Sequence, residues 1–112
     1  MAGPVLNLLF VGDIVGKGGR NAVKALVPVL KQRHNASFVI ANGENCANGA
    51  GYSLTCIRDM ESVVNVFTSG DHTWDQKNFE QEIQSVRNLV RPANFSSLQP
   101  GAGWRRLKNP AG

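Results

Sequence analysis

Residues 8–13 read LLFVGD, residues 39–44 read VIANGE and residues 66–71 read VFTSGD. Each is a short apolar, β-favouring run that stops at a glycine followed directly by an acid: Gly12-Asp13, Gly43-Glu44 and Gly70-Asp71. Short apolar runs bounded by turn residues read as buried strands. Worked outward, the runs predict strands over Val5–Val11, Ser37–Ala41 and Ser62–Thr68. Between the first two, Ala22, Val23, Leu26, Val27 and Leu30 form one apolar stripe, which predicts a helix from Arg20 to Arg33 with a kink at Pro28. His34, at its end, suits a C-terminal cap. A short helix is expected from Leu54 to Glu61 and a longer one from Asp75 to Asn88, with Phe79, Ile83, Val86 and Val90 on one face. Thr73 and Gln76 have the spacing of a capping box for that helix. Leu89–Phe95 reads as a fourth short strand that Pro92 confines to an edge or an end, and residues 96–112 read as loop or an unfinished hairpin. Strands alternating with helices imply an α/β fold with a mostly parallel sheet.

The length of 112 residues allows one small domain, and 42% hydrophobic with 18% charged residues marks a globular chain. No apolar run is long enough to span a bilayer, and the start, MAGPVLNLLFVGD, lacks the basic segment and cleavage site of a secretion signal, so a cytoplasmic protein is expected. Cys46 and Cys56 form no CxxC pair; two small, partly buried thiols are expected rather than a zinc site or a disulfide. Of the net charge of +4, the stretch after Glu82 carries +5 and no acid. No aromatic residues interleave those cations in the manner of a single-strand binder, and no duplex nucleic-acid binding is expected.

In open α/β sheets ligands bind at the carboxyl ends of the strands, so Asp13, Glu44 and Asp71 are expected to converge on one sheet edge. Like charges held together raise each other's pKa unless a cation neutralises them. With His72 beside Asp71 and Asn45 beside Glu44, the donor set suits Mg, Mn, Fe or Zn. Against this stands the plainer role of a single strand-end Asp as a turn residue or cap. Two rival readings of the glycine-rich loop fail on spacing. Gly12 to Gly16 encloses three residues where a phosphate loop needs four, and Gly18 follows Lys17 where Ser or Thr is required. Gly16-x-Gly18 is followed by Asn21 where the dinucleotide fingerprint has its third glycine. A receiver domain would need paired acids after the first strand, where Asp13 stands alone.

Four segments, LLFVGDIVGKGGR, FVIANGENCANGAG, TSGDHTWDQK and LVRPANF, occur in an order and spacing that resembles the YmdB-like branch of the calcineurin-like metallophosphoesterases. The resemblance implies the N-terminal portion of an α/β/β/α sandwich, so that residues 1–112 are a single partial domain. It implies two divalent metal ions, iron or manganese, and hydrolysis of phosphodiesters such as 2′,3′-cyclic nucleotides by a metal-bound hydroxide. By the same resemblance Asp13, Glu44 and Asp71 are metal ligands, Asn45 orients a ligand or substrate, and His72 is the catalytic group. Thr73, Trp74 and Asp75 match as cap and packing residues. Asp71 stands where the family more usually has asparagine. The family's remaining histidine ligands have no counterpart, because the chain holds only His34 and His72. Partial metal occupancy and little turnover are therefore expected of these residues alone. The alternatives are a catalytically dead binding or regulatory module, and a homo-oligomer that completes its site across an interface.

Overall fold

The structure is a computed structural model that describes residues 3–109. Its centre is a four-stranded parallel sheet in the order β1 (Leu8–Val11), β2 (Phe38–Asn42), β3 (Val66–Thr68), β4 (Leu89–Val90). Helix α1 (Gly16–Arg33) joins β1 to β2, and α2 (Leu54–Met60) joins β2 to β3. A short α3 (Phe79–Glu82), continued as a 3-10 turn over Ile83–Ser85, joins β3 to β4. The α/β class with a parallel sheet is as the alternating pattern predicts.

Parallel strands laid down in chain order need right-handed crossovers, and these put every connecting helix on the same face. Register shows the result. Val11, Ala41, Phe67 and Leu89 lie in one row across the sheet. That row packs with Val39, Tyr52, Ile57, Met60 and Phe79 in a single core. The other face, with Leu8, Phe10, Phe38, Ile40 and Val66, has no helix over it among the described residues. Leu8 is 54% and Phe10 61% exposed. Residues 103–109 run along part of this face and leave an open apolar groove of about 470 Å³ between them and the strands. Among the described residues one sheet is present where the sandwich has two.

Several boundaries differ from expectation. The strands are shorter: β1 begins at Leu8, not Val5, and β3 at Val66, not Ser62. Helix α1 starts four residues early, at Gly16, whose φ of +59° is a left-handed value natural to glycine. Pro28 lies within the helix and does not end it. The helix predicted over 75–88 is mostly not helical. Asn78 at φ +78° is left-handed, so a regular helix starts only at Phe79, and Val86 is already extended. Phe79, Ile83 and Val86 are nonetheless all buried, so the apolar spacing marked the right residues in the wrong conformation. No capping box forms: the Thr73 hydroxyl donates to the Gly70 carbonyl, and Gln76 Nε2 donates to the carbonyls of Ala47 and Ala50. The fourth strand is two residues, and residues 96–109 are turns and coil; residues 110–112 lie outside the described residues.

Candidate metal and phosphoester site

The carboxyl ends of β1, β2 and β3 lie side by side, because the ladder pairs Val11 with Ala41 and Asn42 with Thr68. Beyond the strands the pairing continues. Ile14 N–H donates to Asn42 O (2.9 Å), Gly16 N–H donates to Asn45 O (3.0 Å), and Val15 bridges Asn45. The loop after β1 is thus stitched to the loop after β2. Asn45 Nδ2 donates to Asp13 Oδ1 at 2.8 Å, so the Asp13 carboxylate and the residue after Glu44 are in direct contact.

Glu44 reaches the other way. Its carboxylate accepts from Asn42 Nδ2 (3.0 Å) and from the backbone N–H of His72 (2.9 Å). It lies so close to Gly70 that a Cβ there would be 2.6 Å from Glu44 Oε1. Gly43 is equally committed, since a Cβ would sit 3.0 Å from the Tyr52 ring and hydroxyl. Gly12 is not: a Cβ there would meet nothing within 4 Å. At two of the three glycine–acid pairs a Cβ would therefore meet close neighbours, and at the first it would not.

The three acids are not gathered into one cluster among the described residues. The Asp71 side chain is 90% exposed, and His72 Nε2 lies 3.9 Å from its Oδ1. Among the described residues no group of three His, Cys, Asp or Glu side chains is close enough to hold a metal ion. The edge thus presents Asp13, Asn45 and Glu44 as a row of oxygen donors, hard enough for a divalent cation but too few to enclose one.

His72 is half exposed, and its Nδ1 is 2.6 Å from Asp75 Oδ2. The Asp75 hydrogen bond, followed by the Asp71 charge, raises the His72 pKa above the ordinary histidine value. In the neutral ring, Nδ1–H facing Asp75 leaves Nε2 as the free lone pair. Asp75, read from the sequence as cap and packing, is instead the partner that orients His72. The i, i+3 spacing of the two residues in DHTWD was the available signal, obscured because a helix was expected to begin there.

Behind the edge, Arg20 on α1 is a clamp. Its guanidinium donates to Asp59 on α2 (3.2 Å) and to the carbonyl of Cys46, two residues past Glu44. Lys24 Nζ joins Asp59 at 2.7 Å. Lys24 first, and Arg20 after it, hold the Asp59 carboxyl below its usual range. Cys46 and Cys56 are free, buried thiols, as expected; burial, then Cys56, pushes Cys46 up to about 12. His34 is the C-cap of α1 through its backbone N–H.

The profile of the YmdB-like protein family matches residues 9–112. The chain belongs to the YmdB-like family. A relative, the 2′,3′-cyclic-nucleotide 2′-phosphodiesterase of Bacillus subtilis, is 44% identical over 104 residues; the match takes in 92% of this chain and 39% of the enzyme. A crystal structure of a hypothetical protein from Thermus thermophilus superposes with a TM-score of 0.81 at 33% identity, over 93% of this chain and 40% of that one. A Mycoplasma pneumoniae structure described as a novel phosphatase gives a TM-score of 0.80 at 36% identity, over 88% of this chain and 37% of that one. The chain therefore spans about two-fifths of the length of these relatives.

Proposed function

We propose that the chain supplies the Asp13–Asn45–Glu44 edge and the His72–Asp75 pair of a metal-dependent phosphodiesterase acting on substrates such as 2′,3′-cyclic nucleotides. The observation that carries the reading is that Asp13, through Asn45, and His72, through Glu44, meet at one strand-end edge in a YmdB-like chain. Asp13 and Glu44 would hold the cation, with the exposed Asp71 carboxylate beside His72 as a further ligand. A divalent cation bound there supplies Lewis acidity towards a phosphoryl oxygen and an activated water. Asn45 holds Asp13 in place by donating to one carboxylate oxygen and leaving the other oxygen free. His72 carries a proton at Nε2 when cationic, with Asp75 accepting from Nδ1, and can hand that Nε2 proton to a leaving alkoxide or stabilise phosphate charge.

With two carboxylate donors and no second histidine beside them, weak cation binding and turnover at background are expected of the 112 residues alone. The test joins residues 9–112 to the remainder of the Bacillus subtilis relative in place of its matched portion. With Mn²⁺, the chimera should hydrolyse 2′,3′-cyclic nucleotides, and Asp13→Asn, Glu44→Gln and His72→Asn should each reduce kcat by at least about a hundredfold, the scale of a lost acid–base or charge-stabilising group. A folded, Mn²⁺-loaded chimera without activity, or one indifferent to His72→Asn, overturns the reading.

A further inference from the structure

We propose that the Tyr52 hydroxyl is a positioning group for this edge, fixing the end of β2 against the end of β3 so that Glu44 and the Gly70–His72 turn keep their spacing. The inference rests on the phosphodiesterase reading and concerns a residue outside the glycine–acid pattern.

The β2–β3 ladder ends at Asn42 and Thr68. Both acid-bearing turns lie beyond that point, where no ladder fixes their separation. The Tyr52 hydroxyl continues the link from below. It accepts from Gly43 N–H at 2.8 Å, one residue before Glu44, and donates to Thr68 O at 2.5 Å, two residues before Gly70. The phenol is fully buried. Its ring stacks on Phe79 at 5.5 Å and meets the edge of Phe67 at 6.2 Å. A ring gripped on two sides has one rotamer, so its oxygen is a fixed post rather than a mobile contact. Burial holds the phenol well above its usual pKa, so it stays protonated and able to donate to Thr68.

The second tie across these turns is the Glu44 carboxylate accepting from His72 N–H. That one is exposed to competition. A cation drawing on the carboxylate oxygens weakens it, whereas the buried Tyr52 bonds are out of reach of any ligand at the edge. The hydroxyl thus keeps the two turns in register in the state where the carboxylate is occupied elsewhere.

Tyr52→Phe separates this role from ring packing, because the ring remains while Gly43 N–H and Thr68 C=O lose their partner. A control that perturbs the core away from the acids is Met60→Leu. Met60 is buried at the C-terminal end of α2, on the way to the start of β3, the sheet edge opposite the acids. Two readouts apply to the 112-residue chain: solvent exchange of the His72 backbone N–H by NMR, and Mn²⁺ affinity from the EPR signal of the free ion. Tyr52→Phe should speed His72 exchange about tenfold and weaken Mn²⁺ about tenfold, the size of one net hydrogen bond. Met60→Leu should move neither. Unchanged His72 exchange in Tyr52→Phe, or an equal change in Met60→Leu, overturns the positioning role. A wild-type chain that binds no Mn²⁺ through Asp13 and Glu44 instead overturns the phosphodiesterase reading, while the exchange comparison still decides the role of Tyr52.

Discussion

Replacing Gly70 by alanine pits two opposed effects against each other. Gly70 has no positive φ, so alanine fits its backbone, and by restricting the unfolded chain it should stabilise by about 0.4–1 kcal/mol. The space says otherwise. The new Cβ would lie 2.6 Å from Glu44 Oε1 and 2.9 Å from Oε2, well inside contact distance. The carboxylate is the free end of a flexible side chain, so it swings aside rather than breaking the sheet. In doing so it gives up the bonds from Asn42 Nδ2 and His72 N–H. Bonds to a charged group contribute about 1.5–3 kcal/mol each, and because Glu44 is only half-buried, water restores much of that. The balance is a net loss of about 1–2 kcal/mol, or a fall in Tm of several degrees at about 4–8 °C per kcal/mol for a domain of this size. Gly12→Ala is the internal reference. Nothing lies within 4 Å of its Cβ, so it should be neutral or stabilising by up to about 1 kcal/mol. Urea unfolding of both variants, with equal m-values, gives the difference directly. A Gly70→Ala chain as stable as Gly12→Ala, with an unshifted His72 amide resonance, would refute the Glu44–Gly70 packing on which the edge is built.

Asp75→Asn should lower the His72 titration midpoint, followed by NMR, towards the ordinary histidine range of about 6.5, since the Asp75 bond is the largest cause of its rise. The sign follows from linkage: a raised histidine adds stability below its unfolded pKa and loses it as pH rises through the folded value, so Asp75→Asn should remove stability on the acid side of that step and little above it. Arg20→Ala should destabilise by about 2–3 kcal/mol in urea, because it strips charged hydrogen bonds from Asp59 and the Cys46 carbonyl together. Asp59→Asn should flatten the acid limb of stability, since a depressed carboxylate contributes above its unfolded pKa and loses that contribution as pH falls through the folded one. Cys46, buried with its thiol pushed up to about 12, should react with a thiol reagent at pH 8 only as fast as the chain opens, giving a rate that rises with urea.

How far the sequence disclosed this depends on the kind of signal. Strand–glycine–acid repetition is local and survives folding, so β1, β2 and β3 and the edge they share were legible from LLFVGD, VIANGE and VFTSGD. The match of four segments to the YmdB-like pattern is borne out by the family profile over residues 9–112. Element lengths were less legible. Glycines at 16, 18 and 19 read as loop, yet Gly19 is packed against Ile14, where a Cβ would be 3.2 Å from Ile14 Cγ2, inside the first turns of α1. Phe79, Ile83 and Val86 have helical spacing, but burial of three residues is also met by a short helix and a 3-10 turn, and the left-handed Asn78 decides for the latter. Contacts between distant segments were not legible at all. Tyr52 bonds across to Thr68 over a separation of 16 residues and Arg20 to Asp59 over 39, and neither pairing has a spacing to betray it. Asp71 shows what the pattern leaves out. Its position in the glycine–acid pattern equals that of Asp13 and Glu44, but its side chain is 90% exposed, with His72 Nε2 3.9 Å away.

The central claim is that the strand-end edge is a cation site built on Asp13 and Glu44, and paramagnetic NMR of the 112-residue chain titrated with Mn²⁺ tests it most directly. The account predicts that the backbone signals of residues 12–14, 44–46 and 70–72 broaden first and together, that Asp13→Asn and Glu44→Gln each abolish this selectivity, and that Mg²⁺ competes it away. Broadening centred elsewhere, such as on Asp59 and Glu61, or unaffected by both substitutions, would contradict it.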